Sequence, residues 1–448
     1  MSQRESVIVI GAGVSGLACA SELVRQGVEV TVLEARRRIG GRVFTDDRLG
    51  FPVDLGASWI EGHRSNPLTK LARAAGGQTV PTDYENVAVF HQGRRVDDKE
   101  LERLADESEE LLAEIAQGAS SLSTDVSLAA AIEQALAGQS LSAADRRGRD
   151  FVLSLLSLET AADMDDLGLT GAEEDKGFTG EHALVKGGYG LVPQYLARGL
   201  AVRTEHVVTR VQHSAAGVVV DTNQGRFEAG RCVVSLPLGV LQSGQVSFAP
   251  ALPPEKQAVI RRLHMGTLDK VALLLPRRIF PGDVEFIGRM GDEPGRFPIF
   301  LDLEPIAGQP AIVGFVAGKL ARALERKTDG EIVQAAMLSL RDMLGTGIPE
   351  PTQAAVVRWS TDPFAGGSYS YVAVGAQEAD RDVLAAPVGG RLYFCGEATM
   401  RNYSATVHGA YLSGLRAAAY LTGAAQPPIA SGDRRRSRGS NLAPIPFR

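Results

Sequence analysis

Three cysteines in 448 residues are too few to staple a secreted domain together. Cys19, Cys232 and Cys395 each lie inside an apolar run, which predicts small, reduced core residues rather than disulfides or metal ligands. His63, His91 and His408 show no metal-ligand spacing and read as structural, so no metal is expected. The chain has no apolar run long enough to cross a bilayer and no basic-then-apolar leader, so a cytoplasmic protein is expected. Basic charge is not in excess: 47 Lys and Arg face 53 Asp and Glu, and a net charge of −6 argues against a nucleic-acid partner. What remains is an ordinary globular composition, 44% hydrophobic and 22% charged, with length for two domains or one intertwined pair.

The N-terminal pattern predicts a strand at Val7–Ile10, a glycine turn, a helix at Ser15–Gln26 and a strand at Val28–Leu33, the opening of a βαβ unit. Helical periodicity covers 99–137 and again 145–158, and an acidic stretch follows at 163–175. "ALVKGGYGLVPQYLARGL" is a glycine-rich turn leading into a helix, and alternating strands run through 207–237. Residues 270–275 and 311–315 are β-rich, 329–344 is helical, and 391–395 is a strand before a last helix. From 424 to 448 the chain is rich in Pro, Ser, Gly and Arg and reads as a disordered, solvated tail.

"VIVIGAGVSGLACASELVRQGVEVTVLEA" carries the first chemical signal. Gly11 permits a tight turn, Gly13 lets backbone approach a pyrophosphate, and Gly16 lets helix and strand pack closely. The helix start then offers oriented N–H donors to phosphate. Glu34, at the end of the second strand, stands where a carboxylate binds ribose hydroxyls. The pattern predicts dinucleotide binding.

The next stretch, "EARRRIGGRVFT", sets the doublet Gly40–Gly41 between Arg36 and Arg42. It resembles the second fingerprint of FAD-dependent amine oxidases. Four further stretches extend the resemblance over roughly 6–423: "DLGASWIEG", "SLPLGVLQSGQVSFAPALPPEKQAVIRRLHMGTLDKV", "RWSTDPFAGGSYSYVAVG" and "GEATMRNYSATVHGAYLSGLRAA". The chain is similar to flavin-containing amine oxidases, in the branch of polyamine oxidases and lysine-specific histone demethylases. The spacing leaves no long helical-arm insertion and no added N-terminal module of the demethylase kind, so a nucleosome-directed role is not expected.

The resemblance implies an α/β fold, a Rossmann-type FAD-binding domain (1–80, 186–265 and 356–423) interleaved with an α+β substrate domain (81–185 and 266–355). It implies that Ser15, Glu34, Arg36, Arg42, Gly56, Ala57, Ser58, Trp59, Val208, Gly396, Glu397, Thr406 and Val407 touch FAD beside Gly11, Gly13 and Gly16. Val208 would do so through its backbone. Trp359 either packs on the flavin or fills the core. Ser368 falls where monoamine oxidases place a tethering cysteine, so FAD should be held non-covalently. The small residues before the last helix let its N–H groups reach the ring, where they stabilise negative charge by up to about 2 kcal/mol.

The implied chemistry is removal of a hydride equivalent from the carbon beside an amine nitrogen, with O₂ as final acceptor and H₂O₂ as product. Lys270, in "GTLDKV", matches the lysine that holds a water near the reacting atoms, and a lysine in an apolar strand is costly to bury without a task. The preceding Asp269 replaces an Asn common in the family. Tyr369 matches the ring-bearing position, and Thr406 stands where monoamine oxidases carry a second tyrosine; Tyr403 is a nearby candidate for substrate contact. The pocket beside the ring should be apolar and aromatic. Glu61 can pair with a distal ammonium. The acidic run 162–177 can attract polycations or be a solvated loop.

The expected substrate is a polyamine or diamine, with small amine and O₂ the only partners implied. A bulkier monoamine or an L-amino acid is the alternative. An amino acid needs an arginine for its carboxylate, and Arg64, Arg94 and Arg289 are candidates.

Overall fold

The computed structural model describes residues 6–119, 124–169, 177–292 and 296–424. The arginine-rich tail expected to be disordered lies outside them.

A five-stranded, all-parallel sheet holds the N-terminus. Its order is Ala201–Arg203, Glu29–Leu33, Ser6–Ile10, Arg231–Val234 and Leu392–Phe394. The central strands Ser6–Ile10 and Arg231–Val234 are covered on both faces and are nearly all apolar, whereas the edge strand Ala201–Arg203 is largely exposed. Val7, Val9, Val30, Val32 and Val233 face one core, shared with the helices Val14–Arg25 and Val407–Thr422. Ile8, Ile10, Leu33, Cys232 and Val234 face the other, against the strands Val208–Ser214 and Gly217–Thr222 and the helix Pro254–Arg262. The first and last helices meet closely because Gly414 of the last helix has no side chain: a Cβ there would come within 2.2 Å of the Ser15 carbonyl on the first. All three cysteines are free and buried.

A seven-stranded mixed sheet forms a second layer, ordered Gln353–Val356, Leu268–Leu274, Ala311–Ala317, Ile299–Asp302, Phe286–Arg289, Val87–His91 and Arg94–Arg95. Along Leu268–Leu274 the odd positions Val271 and Leu273 pack under the helix Asp329–Leu344. The even positions face the other way, where Ala272 joins Phe315, Leu55 and Trp59. Period-two alternation therefore turns Lys270 toward the side of the molecule that holds the cavity.

A small sheet of Trp59–Ile60, His182–Lys186 and Gln78–Thr82 completes the framework. The expected helical stretch 99–137 is two helices, Asp98–Ala119 and Leu128–Ala135. Ser127 starts the second, its side chain accepting from the Ala130 N–H at 3.2 Å. The helix Ala143–Thr160 ends at Ala161 in the left-handed region (φ 54°), which sets Leu158 and Glu159 at the cavity wall.

Candidate active site

One cavity of about 1580 Å³ is lined by the N-terminal glycine turn and by the aromatic face of the second sheet. Its first part is backbone. Gly13 is the N-cap of the first helix, no side chain caps that terminus, and no acidic residue sits in its first turn. A Cβ on Gly13 would meet nothing within 4 Å, whereas one on Gly16 would fall 2.1 Å from the Gly11 carbonyl. The two glycines thus do different work: Gly13 leaves room at the cavity, and Gly16 allows the turn and helix to touch. Gly40 bridges to Gly13, closing the arginine-flanked loop over the same point.

Glu34 is buried at the end of its strand, with its carboxylate accepting from the Ala12 N–H at 2.7 Å and the Arg36 N–H at 2.9 Å. Arg36 reaches Asp362 at 2.6 Å and lies over the Phe364 ring. Arg42 donates to Glu397 at 2.9 Å and to the Ser368 carbonyl at 2.8 Å. Burial raises the Glu397 carboxyl, but Arg42, Arg381 and Ser370 outweigh it and hold it below the usual carboxylate range.

A second helix N-terminus meets the cavity at Thr406, whose hydroxyl accepts from the Gly409 N–H at 2.9 Å. Tyr403 and Ala405 just before it have φ of 65° and 60°, and a Cβ on Gly409 would come within 1.8 Å of the Tyr403 carbonyl. The small residues there are required by this tight approach.

Lys270 is buried, with Nζ donating to the Gly56 carbonyl at 2.5 Å, the Ser58 hydroxyl at 2.6 Å and the Asp54 carbonyl at 3.2 Å. Burial lowers its pKa and raises that of Asp54, and each charge opposes the other's shift. Around it stand Trp59, Phe315, Trp359 and Tyr369. The Tyr369 hydroxyl donates to the Leu158 carbonyl at 2.5 Å, and burial raises its pKa. The wall around Lys270 is aromatic, but the expectation of a pocket without acids is not met, since Glu61 and Glu159 line the same cavity.

Trp359 is placed by two buried carboxyls. Its backbone N–H donates to Asp269 at 3.0 Å, while the Ser360 and Thr361 backbone N–H groups donate to Glu325 at 2.7 and 2.8 Å. Burial first, and Glu325 next, push the Asp269 carboxyl well above its ordinary range. The folded protein therefore binds a proton that the unfolded chain releases. That contribution is full below the ordinary aspartate range and is lost as pH rises toward the folded value. Asp269→Asn keeps a donor to Glu325 and an acceptor for Trp359 with no proton to hold. It should melt higher than the parent at pH 8, by about 1 kcal/mol or roughly 2 °C at this size. The gain should shrink toward pH 4, and a gain constant with pH would show that titration of Asp269 is not its source.

The cavity brings together Gly11, Gly13, Ser15, Glu34, Arg36, Arg42, Gly56, Ala57, Ser58, Trp59, Glu61, Val208, Lys270, Trp359, Tyr369, Glu397, Thr406 and Val407. Gly16 and Gly396 do not line it, and neither does Tyr403. The expectation that Tyr403 touches substrate is corrected: its ring is stacked on Phe178 at 4.9 Å, and Phe178 forms the wall in its place. His408, expected to be only structural, does line the cavity, and burial with His182 nearby lowers its pKa to about 3. In the described part of the acidic run, Asp163 binds Arg322 and Asp165 binds Lys319, so both are engaged away from the cavity wall.

The sequence reading missed Asp83, Tyr84, Glu85, Glu159, Glu181 and Glu285, which line the aromatic end with Glu61. Nothing local in the sequence marks the turn before the strand Val87–His91 as part of a site. No group of three or more His, Cys, Asp or Glu able to hold a metal occurs among the described residues. No described helix is long and apolar enough to cross a membrane.

An uncapped helix start, a glycine cradle and a buried ribose-type acid, opening into an aromatic chamber, define a dinucleotide-dependent oxidoreductase. The family model for flavin containing amine oxidoreductases matches residues 14–422, and the chain belongs to that family. Its cofactor is FAD, and the open space at Gly13 and the unencumbered first helix turn fit the pyrophosphate of that group. The chain is 36% identical to Polyamine oxidase 4 of Oryza sativa subsp. japonica, over 92% of this chain and 88% of that one. It is 36% identical to Protein FLOWERING LOCUS D of Arabidopsis thaliana and 37% identical to Lysine-specific histone demethylase 1 homolog 3 of Oryza sativa subsp. japonica, spanning 57% and 54% of their lengths. The fold matches a putrescine oxidase, wild type bound to putrescine, with a TM-score of 0.76 and 23% identity over 94% of this chain and 99% of that one.

Proposed function

We propose that this protein oxidises a polyamine or diamine at a C–N bond with O₂, releasing H₂O₂. The observation that carries the reading is the charge of the aromatic end of the cavity. Glu61, Asp83, Glu85, Glu159 and Glu285 line it, with Glu181 already paired to Arg64, while Lys270 is engaged by Gly56 and Ser58. A low-dielectric chamber bordered by carboxylates favours a ligand with several positive charges. The arginines that an amino acid would need are elsewhere: Arg64 pairs with Glu181 and Arg289 with Asp342, and neither they nor Arg94 line the cavity.

FAD supplies the acceptor for the hydride equivalent. The chain supplies placement: Trp59, Phe315, Trp359 and Tyr369 exclude water and hold the reacting carbon, and Glu61 takes a distal ammonium. Lys270, its ammonium fixed on Gly56, Ser58 and Asp54, sets a buried polar group beside the reacting atoms. Glu34, Arg36, Arg42, Glu397 and the two helix starts hold the cofactor.

Anaerobic mixing of the yellow protein with spermidine, followed by visible absorbance, tests this. Rapid bleaching reversed by air is expected. A spectrum that stays oxidised with spermidine and putrescine but bleaches with a monoamine, an amino acid or a methylated lysine peptide would overturn the polyamine reading. Glu61→Gln is expected to raise KM for a polyamine about tenfold and to leave KM for a monoamine nearly unchanged. Equal effects on both would remove Glu61 from substrate recognition.

A further inference from the structure

Arg381 is the largest side chain among those fully buried in the described residues, 1% exposed, and lies outside the cavity. Burying a guanidinium is expensive unless its donors are used. Its Nε donates to Glu378 at 2.5 Å, and one terminal nitrogen donates to the Ser370 hydroxyl at 2.6 Å. The Ser370 hydroxyl then donates its own proton to Glu397 at 2.6 Å. The other Glu397 oxygen takes Arg42 at 2.9 Å. Charges therefore alternate along one buried line, from Glu378 through Arg381 and Ser370 to Glu397 and Arg42, and its last two members border the cavity.

We propose that Arg381 is a positioning residue for the cofactor: through the Ser370 hydroxyl it fixes Glu397 as an ionised, oriented acceptor at the FAD site. Ser370 is also the residue after Tyr369, in a strand paired with His264–Met265, so the same contact steadies the aromatic wall. The proposal does not depend on which amine is oxidised.

The groups that surround Glu397 leave this role to few candidates. On the helices packed against its short helix stand Asp380, Arg381, Asp382, His408 and Arg416, and Arg42 reaches it from a loop. Arg416 is taken up by Thr399, Asp380 by Arg262 and Asp382 by Arg401. His408 is neutral above acid pH because burial lowers it to about 3. Arg42 touches the carboxylate directly, and Arg381 reaches it through one hydroxyl. Without Arg381 the carboxylate loses a stabilising cation, so it takes up a proton at higher pH.

The test uses the holoenzyme and reads FAD release between pH 4 and 9, by visible absorbance after rapid desalting. Three variants are compared: Arg381→Met, Arg381→Met with Glu378→Gln, and Ser370→Ala. Arg381→Met should weaken FAD retention about tenfold at pH 6 and move the pH of half-release up by about one unit. Adding Glu378→Gln removes the stranded carboxylate and should restore the apoprotein's melting temperature, yet leave the release pH shifted. Ser370→Ala, which removes one oxygen and adds no bulk, should reproduce the shift by cutting the line at its middle. Should Arg381→Met fail to fold, the double variant and Ser370→Ala carry the same readout. Recovery of the parent's release pH in the double variant, or an unshifted Ser370→Ala, would overturn the proposal and leave Arg381 as a counter-ion to Glu378.

Discussion

Lys270→Met should lower turnover by about 10²–10³-fold, the usual cost of removing one preorganised polar group from a water-excluded site. The size follows from how the ammonium is held. Its donors to the Gly56 carbonyl and the Ser58 hydroxyl fix Nζ in place, and burial has already reduced its tendency to stay charged. Methionine fills the volume but donates nothing, so those oxygens lose a partner at a cost of about 1–3 kcal/mol. It also removes the cation that favours ionisation of Asp54, whose carboxyl then moves further up. The expected signature is a large fall in kcat with FAD content unchanged, because the glycine cradle lies on another element. Stopped-flow absorbance separates the two half-reactions. Parent-like rates in both would remove Lys270 from the chemistry.

Substitutions at the two fingerprint glycines should fail in opposite ways. Gly13→Leu meets no neighbour at Cβ, so the apoprotein should fold and melt close to the parent. The side chain then projects where backbone must approach phosphate, and FAD affinity should fall by at least about 10³-fold. Gly16→Ala places its methyl 2.1 Å from the Gly11 carbonyl and 2.6 Å from the Ser235 hydroxyl. It should destabilise the apoprotein itself by about 1–3 kcal/mol, by overpacking a backbone contact that has no slack. Melting of both apoproteins, with FAD titration, distinguishes them. A yellow Gly13→Leu protein would show that the cofactor does not pass over this turn.

The glycine turn was readable because its constraint is local: strand, turn, helix and acid lie within 29 residues of sequence, from Ser6 to Glu34. Lys270 was readable because a cation in an apolar strand is conspicuous, and the pleat fixed its direction. Tyr84, Glu159 and Glu285 were not. They come from a turn, a helix end and a strand edge that meet only when three sheets assemble, and no local pattern separates them from solvated charge. Tyr403 misled for the converse reason. It stands three residues before Thr406, but its left-handed backbone conformation turns the ring onto Phe178 instead of the chamber. Nothing in the sequence around Arg381 marks it as buried, and only the folded structure reveals it.

The parallel sheet also has a history during synthesis. The strand Arg231–Val234 finds one neighbour in Ser6–Ile10, already made, but its other neighbour, Leu392–Phe394, is roughly 160 residues further along. At about 5–20 residues per second, that edge waits on the order of 10–30 s at the ribosome before its partner emerges. An apolar strand with an unpaired edge invites pairing with another chain. The nascent sheet therefore passes through a period when one edge of Arg231–Val234 is paired and the other is open and adhesive.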